Sequence, residues 1–343
     1  MASGKKGGPA RPAMNDELRE EIAALLLDGM SVDAVARRIS SLGHSLAIAE
    51  AEVARAAKSP YLRGATQLRW RLGKWRWVME NQSRLRAGDP GASSVPVLSA
   101  DALGAFHREF YAANRPVVVR GLADDWPARR LWSLDHLAKR LAGRQVRVQW
   151  NRSAAQDYER NVERHATTKP YDEIDRRLRD REPSNDFYVT ANNADQNRSA
   201  FAPLFDEVGE IPDLLAPGGA RAGFVWIGPR GTVTPWHHDL TNNLLLTLVG
   251  CKRVRLVAPY DTPKMRNDVH CFSRWGTDDL PAGPAEGEKP AVLECELAPG
   301  DALFLPIGWW HHVEGLDPHI GMSFTAFRWD NDFYSSYRSY RVE

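Results

Sequence analysis

From Phe187 onward the chain is a succession of short apolar runs broken by glycine and proline, and this punctuation constrains its fold more than any other feature. Runs at 187–190, 223–228, 243–249, 252–258, 292–296, 302–305 and 320–328 are strand-length. Many short strands with regular turn signals between them predict an all-β barrel or sandwich. Ahead of them, 116–121 reads as another apolar strand and 145–150 as a further one, with Ser133 capping a helix over 134–141 and Ser99 capping one through Phe106 and Phe110.

The first quarter of the chain follows a different period. Leu18, Ile22, Leu25 and Leu26 recur at helical spacing and stop at Asp28-Gly29; Ser31 then caps a second helix carrying Val32, Val35 and Ile39, and a third runs through Ala49, Val53 and Ala57. Pro60 breaks that pattern, and 68–85 resumes it with Trp70, Trp75 and Trp77 interleaved among arginines and lysines. The expected organisation is a disordered tail at 1–14, a helical module at 15–86, a Pro/Gly/Ser linker at 87–97 and a β-rich domain with helices at 98–343. A length of 343 residues suits one large domain and one small one, and 43% hydrophobic with 26% charged residues is ordinary for a globular chain. The net charge of +1 gives no global pull toward nucleic acid or membrane. Three cysteines without close pairing argue against a disulfide framework or zinc knuckle, and with no apolar run long enough to span a bilayer the expected location is the reducing cytoplasm.

Chemistry enters at Thr234-Pro-Trp-His-His-Asp239. On an extended strand, residues two apart share a face, so His237 and Asp239 converge on one point while His238 looks away. An isolated His-x-Asp is usually a surface feature. Here a second half follows in Gly300-Asp-Ala-Leu-Phe-Leu-Pro-Ile-Gly-Trp-Trp-His311, which matches the G-x5-P-x-G-x2-H signature of the second metal strand of cupin barrels. Two imidazoles and one carboxylate on one face of an ion suit non-heme iron(II), while zinc with three protein ligands and a water uses the same ligand types. Strand parity adds a third observation: Arg253 and Arg255 share an outward face, which turns Lys252 inward with Val254 and Leu256. A lysine inside a barrel needs an anion, either a buried Asp or Glu or a dicarboxylate cosubstrate.

The runs from Gly231 to Asn243, from Gly250 to Arg253 and from Phe304 to Glu314 together resemble the cupin-like JmjC hydroxylases, with the nearest echoes in the asparaginyl hydroxylase that inhibits hypoxia-inducible factor and in bacterial cupin-like proteins. The likeness extends more weakly over about 98–333, through 114–121 and 186–193, and does not cover the helical module. It implies a double-stranded β-helix (a jelly-roll) using iron(II), 2-oxoglutarate and oxygen. His237, Asp239 and His311 match the iron ligands; Lys252 matches the residue that pairs with the distal carboxylate of 2-oxoglutarate. Thr234, Asn243 and Tyr188 match further cosubstrate contacts. Ala326 stands where the asparaginyl hydroxylase has an asparagine near the cosubstrate.

The resemblance implies hydroxylation of a protein or peptide side chain with release of succinate and CO2, with lysine or arginine demethylation and RNA-base hydroxylation as alternatives in the same family. Readings from other classes are a metal cupin isomerase, which has no need of Lys252, and a non-catalytic protein acting through its basic N-terminal helices on nucleic acid. The tryptophan and arginine stripe at 58–86 suits nucleic acid or an acidic peptide, but is read first as a solvated helix face with its tryptophans packed on the barrel. Residues 28–45 bear a weak helix-turn-helix pattern. Trp226, Trp236, Trp309 and Trp310 are candidates for the cavity wall or the core; His238 and His312 for packing behind the metal; His165, His270, Asn192 and Asn193 for substrate contact or ordinary loop chemistry. The aromatic tail from Phe333 to Tyr340 is either a homodimer contact or packing of the last strand.

Overall fold

A computed structural model describes residues 14–155, 157–180, 182–191 and 194–337. The chain divides into two compact units between Asn81 and Gln82.

In the first unit, helices α1 (Asp16–Leu27), α2 (Val32–Ser41) and α3 (Leu46–Ala57) start where short polar side chains take up the unsatisfied amides of the first turn. Asn15, Ser31 and Ser45 accept from the amides of Leu18, Ala34 and Ile48. Their apolar stripes meet in a small core of Ile22, Val35, Ala36, Ile39, Ala49 and Val53. Helix α4 (Pro60–Ala87) departs from the pattern read in the sequence, because Pro60 opens the helix instead of interrupting it. A first-turn residue has no helical partner for its N–H, so proline fits there, and Ser59 Oγ accepts from the Tyr61 amide at 3.2 Å. No residue of α4 is buried, and Trp70, Trp75 and Trp77 are 72%, 65% and 63% exposed.

Among its described residues the second unit carries thirteen strands: β1 (Val97–Ser99), β2 (Val117–Arg120), β3 (Gln145–Trp150), β4 (Ala166–Pro170), β5 (Phe187–Tyr188), β6 (Phe224–Gly228), β7 (Val233–His238), β8 (Asn243–Val249), β9 (Lys252–Val257), β10 (Leu293–Leu297), β11 (Ala302–Leu305), β12 (Trp310–Gly315) and β13 (His319–Phe324). They form a sheet ordered β1-β2-β11-β8-β13-β6, a second ordered β10-β9-β12-β7, and a small sheet β4-β3-β5. Strands β6 to β9, and again β10 to β13, alternate between the two large sheets, which is the path of a double-stranded β-helix. Along β8, Leu244 and Leu248 join the large outer core and Asn243, Leu245 and Thr247 line the barrel interior, while Leu246 packs in that core and also borders the interior cavity. Val254, Leu256, Leu297, Leu303, Leu305 and Trp309 close the other end of the barrel with a dry cluster.

Ser99 is not a helix cap. It ends β1, which pairs in parallel with β2, and the segment behind it forms a 3-10 turn and then a short π-helix over His107–Tyr111. Strand β4 was not foreseen, since Thr167, Thr168 and Lys169 lack an apolar alternation, and its strand form comes from pairing with β3. No described helix is long and apolar enough to cross a membrane.

Candidate metal centre

The antiparallel pairing of β7 with β12 sets His237 directly opposite His311, with ring centroids 4.0 Å apart. Gly308, at φ +77°, makes the bend that turns the chain from β11 into β12 and delivers His311 to that position. Asp239 lies just past the end of β7, with Oδ1 3.8 Å from His237 Nε2. The ligand atoms of His237, Asp239 and His311 all lie within 4.8 Å of one another.

Each group is held by a neighbour. His237 Nδ1 sits 2.8 Å from the Pro235 carbonyl and His311 Nδ1 3.1 Å from that of Trp309. A carbonyl only accepts, so both Nδ1 atoms carry the proton and both Nε2 lone pairs are left for an ion. Asn243 Nδ2 donates to Asp239 Oδ2 at 3.0 Å. Burial and the adjacent His237 ring push the basicity of His311 well down, keeping that ring neutral. Burial alone would raise the Asp239 carboxyl, but His311, His237 and the Asn243 amide outweigh it and hold the group below its usual range. Two neutral imidazoles and one carboxylate are the charge state a divalent cation requires.

Lys252, 8% exposed, points into the same interior. Parity assigns its neighbours as expected: Arg253 faces out to Glu294, Glu296 and Glu314, and Arg255 to Glu294. Among the described residues no carboxylate lies within ion-pair distance of Lys252, which removes the buried Asp or Glu alternative. Burial without a counter-charge lowers its ammonium from 10.5 to about 8.

An inner cavity of about 60 Å³ is lined by Lys252, Tyr188, Thr234, Asn243, Thr247 and the metal-site residues. It opens into an outer cavity of about 370 Å³. Trp226, Thr234, His237, Asp239 and Asn243 line both, so His237 and Asp239 stand at the junction while His311 lines the inner cavity. Tyr188 arrives from β5, which the bridge between Val189 and Ile227 ties to β6, and its side chain lines the inner cavity together with Thr234. Burial raises that phenol above its ordinary range, so it stays protonated and able to donate. Thr247 Oγ1 and Asn243 Oδ1 are buried in the inner cavity without a protein partner. Unpartnered polar atoms beside an unpaired ammonium mark a place built for a polar ligand.

The sequence profile of the cupin-like domain family matches residues 103–327. The chain belongs to the cupin-like JmjC family. Lysine-specific demethylase 8 of Danio rerio is 30% identical over 249 residues, which cover 67% of this chain and 57% of that protein. Lysine-specific demethylase JMJ30 of Arabidopsis thaliana is 29% identical (68% and 54%), and Jumonji C domain-containing protein 5 of Drosophila melanogaster is 29% identical (67% and 59%). The chain thus spans between half and two thirds of the length of these relatives. The family uses iron(II), 2-oxoglutarate and oxygen, and the donor set at the barrel mouth fits that ion.

Around this JmjC centre the remaining expected residues separate. Of the four tryptophans only Trp226 faces the cavities, its Nε1 donating to Ser323 Oγ at 2.8 Å. Trp236 and Trp310 pack in a separate cluster with Val257, Met265 and Trp275, and Trp309 lies in the dry barrel end. His312 is buried beside Thr277, but His238 lines the outer cavity, where burial lowers its basicity. His270 and Tyr334 reach the outer cavity, His165 bonds to the Trp150 carbonyl, and Asn192, Asn193 and Tyr340 fall outside the described residues. Asn243, matched to a cosubstrate contact, places its amide on Asp239, while Ala326 lines neither cavity. Thr247 was missed, although it lies four residues beyond Asn243 on one strand face. Glu159 at the outer cavity was also missed; it sits in a loop and pairs with the fully buried Arg152 at 2.9 Å.

Proposed function

We propose that this chain is an iron(II)- and 2-oxoglutarate-dependent oxygenase that hydroxylates a side chain of a protein or peptide. The observation that carries this reading is the unpaired, buried Lys252 ammonium sharing one cavity with the His237, Asp239 and His311 ligand set. A metal isomerase of the same barrel has no use for that cation.

His237, Asp239 and His311 would hold the iron. Lys252, with the Tyr188 phenol and the Thr234 hydroxyl, would hold the distal carboxylate of the cosubstrate, and the Thr247 hydroxyl is available to the same group. Iron(II), 2-oxoglutarate and oxygen together supply the oxidant: one oxygen atom enters a substrate C–H bond, the other enters succinate, and CO2 leaves. The protein supplies position and dryness. Leu245, Leu246, Val254, Leu297, Val313 and Met322 line the inner cavity and exclude water from it. The outer cavity has room for one extended side chain but not for a folded domain, so the substrate residue enters from a flexible segment.

The names of the relatives support a second reading, demethylation of a methylated lysine. Hydroxylation of an N-methyl carbon gives a carbinolamine, which releases formaldehyde and leaves the N–H, so both outcomes use one centre. The test is succinate production with iron(II), 2-oxoglutarate and oxygen, together with mass spectrometry of peptides for gain of one oxygen atom or loss of one methylene. The His237→Ala protein is expected to make no succinate, and normal turnover by that variant would refute the assignment.

A further inference from the structure

We propose that the helical unit is a self-complementary dimerisation module, in which α4 of one copy packs on the α1–α3 surface of a second copy and the reverse contact forms at the same time. This rests on the first unit alone and is independent of the oxygenase reading.

Helix α4 exposes two kinds of surface that single chains rarely leave bare. Tyr61, Leu68, Leu72 and Trp75 follow one another at intervals of seven, four and three residues along one helical face, all exposed, and Trp70 and Trp77 lie a heptad apart on another. Between Pro60 and Asn81 there are five basic residues and one acid, Glu80. Residues 14–58 carry the opposite balance, eight acids against five bases, and expose Leu42, Leu46 and Ile48 around the α2–α3 turn. Among the described residues the charges left without an ion pair sum to opposite signs on the two surfaces: Arg63, Arg71, Lys74 and Arg76 against Glu80 on α4 up to Asn81, and Glu17, Glu20, Asp33 and Glu50 against Arg37 and Lys58 over α1–α3. Arg69 with Asp28, at 3.2 Å, joins the two kinds of surface within one chain.

A second copy satisfies both requirements at once. A two-fold axis brings each basic, aromatic α4 to an acidic, partly apolar α1–α3 surface, and the contact occurs twice. Direct α4-to-α4 pairing would set like charges together. Nucleic acid would neutralise the cations, but it offers no cover for the aliphatic face of Leu68 and Leu72 or for the exposed apolar residues of α2 and α3. Burying three indoles in each of two copies removes on the order of 1,000 Å² from water. With the facing surface included, the interface reaches the roughly 1,600 Å² of a stable complex.

The experiment is sedimentation of the full chain with charge-swapped partners. Wild type is expected at twice the monomer mass at micromolar concentration, and Leu72→Glu with Trp75→Glu is expected to be monomeric with at least about 100-fold weaker association and unchanged helical circular dichroism. A chain with Arg71→Glu, Lys74→Glu and Arg76→Glu, and another with Glu17→Lys, Glu20→Lys and Glu50→Lys, are each expected to be monomeric alone. Mixed, they are expected to form a heterodimer in which both contacts are restored. A monomeric wild type, a dimer that survives the Leu72 and Trp75 changes, failure of the mixture to associate, or binding of a single-stranded oligonucleotide by a wild-type monomer through α4 would each overturn the proposal.

Discussion

Replacing Lys252 by Met should stabilise the empty protein while removing its response to 2-oxoglutarate. The side chain keeps its length and apolar stem, and loses only the ammonium. Burial has moved that ammonium from 10.5 to about 8, and a shift of this size corresponds to about 3 kcal/mol against the charged form. Because the folded value lies below the unfolded one, the unfolded chain holds more protons between about pH 8 and 10.5. The destabilisation is therefore full below about pH 8 and is relieved as pH rises toward 10.5. The Lys252→Met protein should lack that rise and, near neutral pH, melt higher by roughly 2–4 °C for each kcal/mol recovered. The same change removes the counter-charge for a buried carboxylate, a loss of about 2–5 kcal/mol in binding. The assay is thermal unfolding with manganese(II) in place of iron, with and without 2-oxoglutarate, across pH 7 to 10. Wild type should be stabilised by the cosubstrate, with affinity falling about tenfold per pH unit once the empty-state lysine loses its proton. A variant that melts lower than wild type, or that keeps the full ligand-induced shift, would refute the reasoning.

Asn243→Ala leaves Asp239 Oδ2 without its amide donor, and metal affinity measured by chelator competition should fall about 10- to 100-fold; unchanged affinity would mean the carboxylate needs no support. Gly321→Ala places a methyl carbon 2.4 Å from the Leu246 carbonyl oxygen and 3.5 Å from Lys252 Nζ. It should destabilise the barrel by about 1–3 kcal/mol and weaken 2-oxoglutarate binding, both read by the same unfolding assay, and a wild-type melt would show that β13 shifts freely against β8.

Local rules made much of this molecule legible in its sequence. The strand Gln145–Trp150 and the Ser133-capped helix are found where they were expected, because the strand carries its own apolar alternation and the helix its own cap. Lys252 was legible for the same reason: period-two alternation between two surface arginines leaves only the interior for it. Ser99 and β4 were misread or missed because their states depend on partners distant in sequence, β2 and β3. Pro60 was misread because one residue type both stops and starts helices, and the Ser59 hydroxyl beside it decides which.

The tryptophans show how far parity extends. On β12, Trp310 and His312 flank His311, so the strand period alone sends them away from the metal, and both are buried there. Trp226 obeys the same rule from β6, where Val225 and Ile227 join the outer core and Trp226 turns to the cavity. Strand parity thus sorted wall from core on β6 and β12, but not at the end of β7, where His238 lines the outer cavity beside His237. On α4 the helical period gives no such sorting, since no residue of that helix is buried. The excess of unpaired acids on α1–α3 is the reason a second copy is the partner proposed for it.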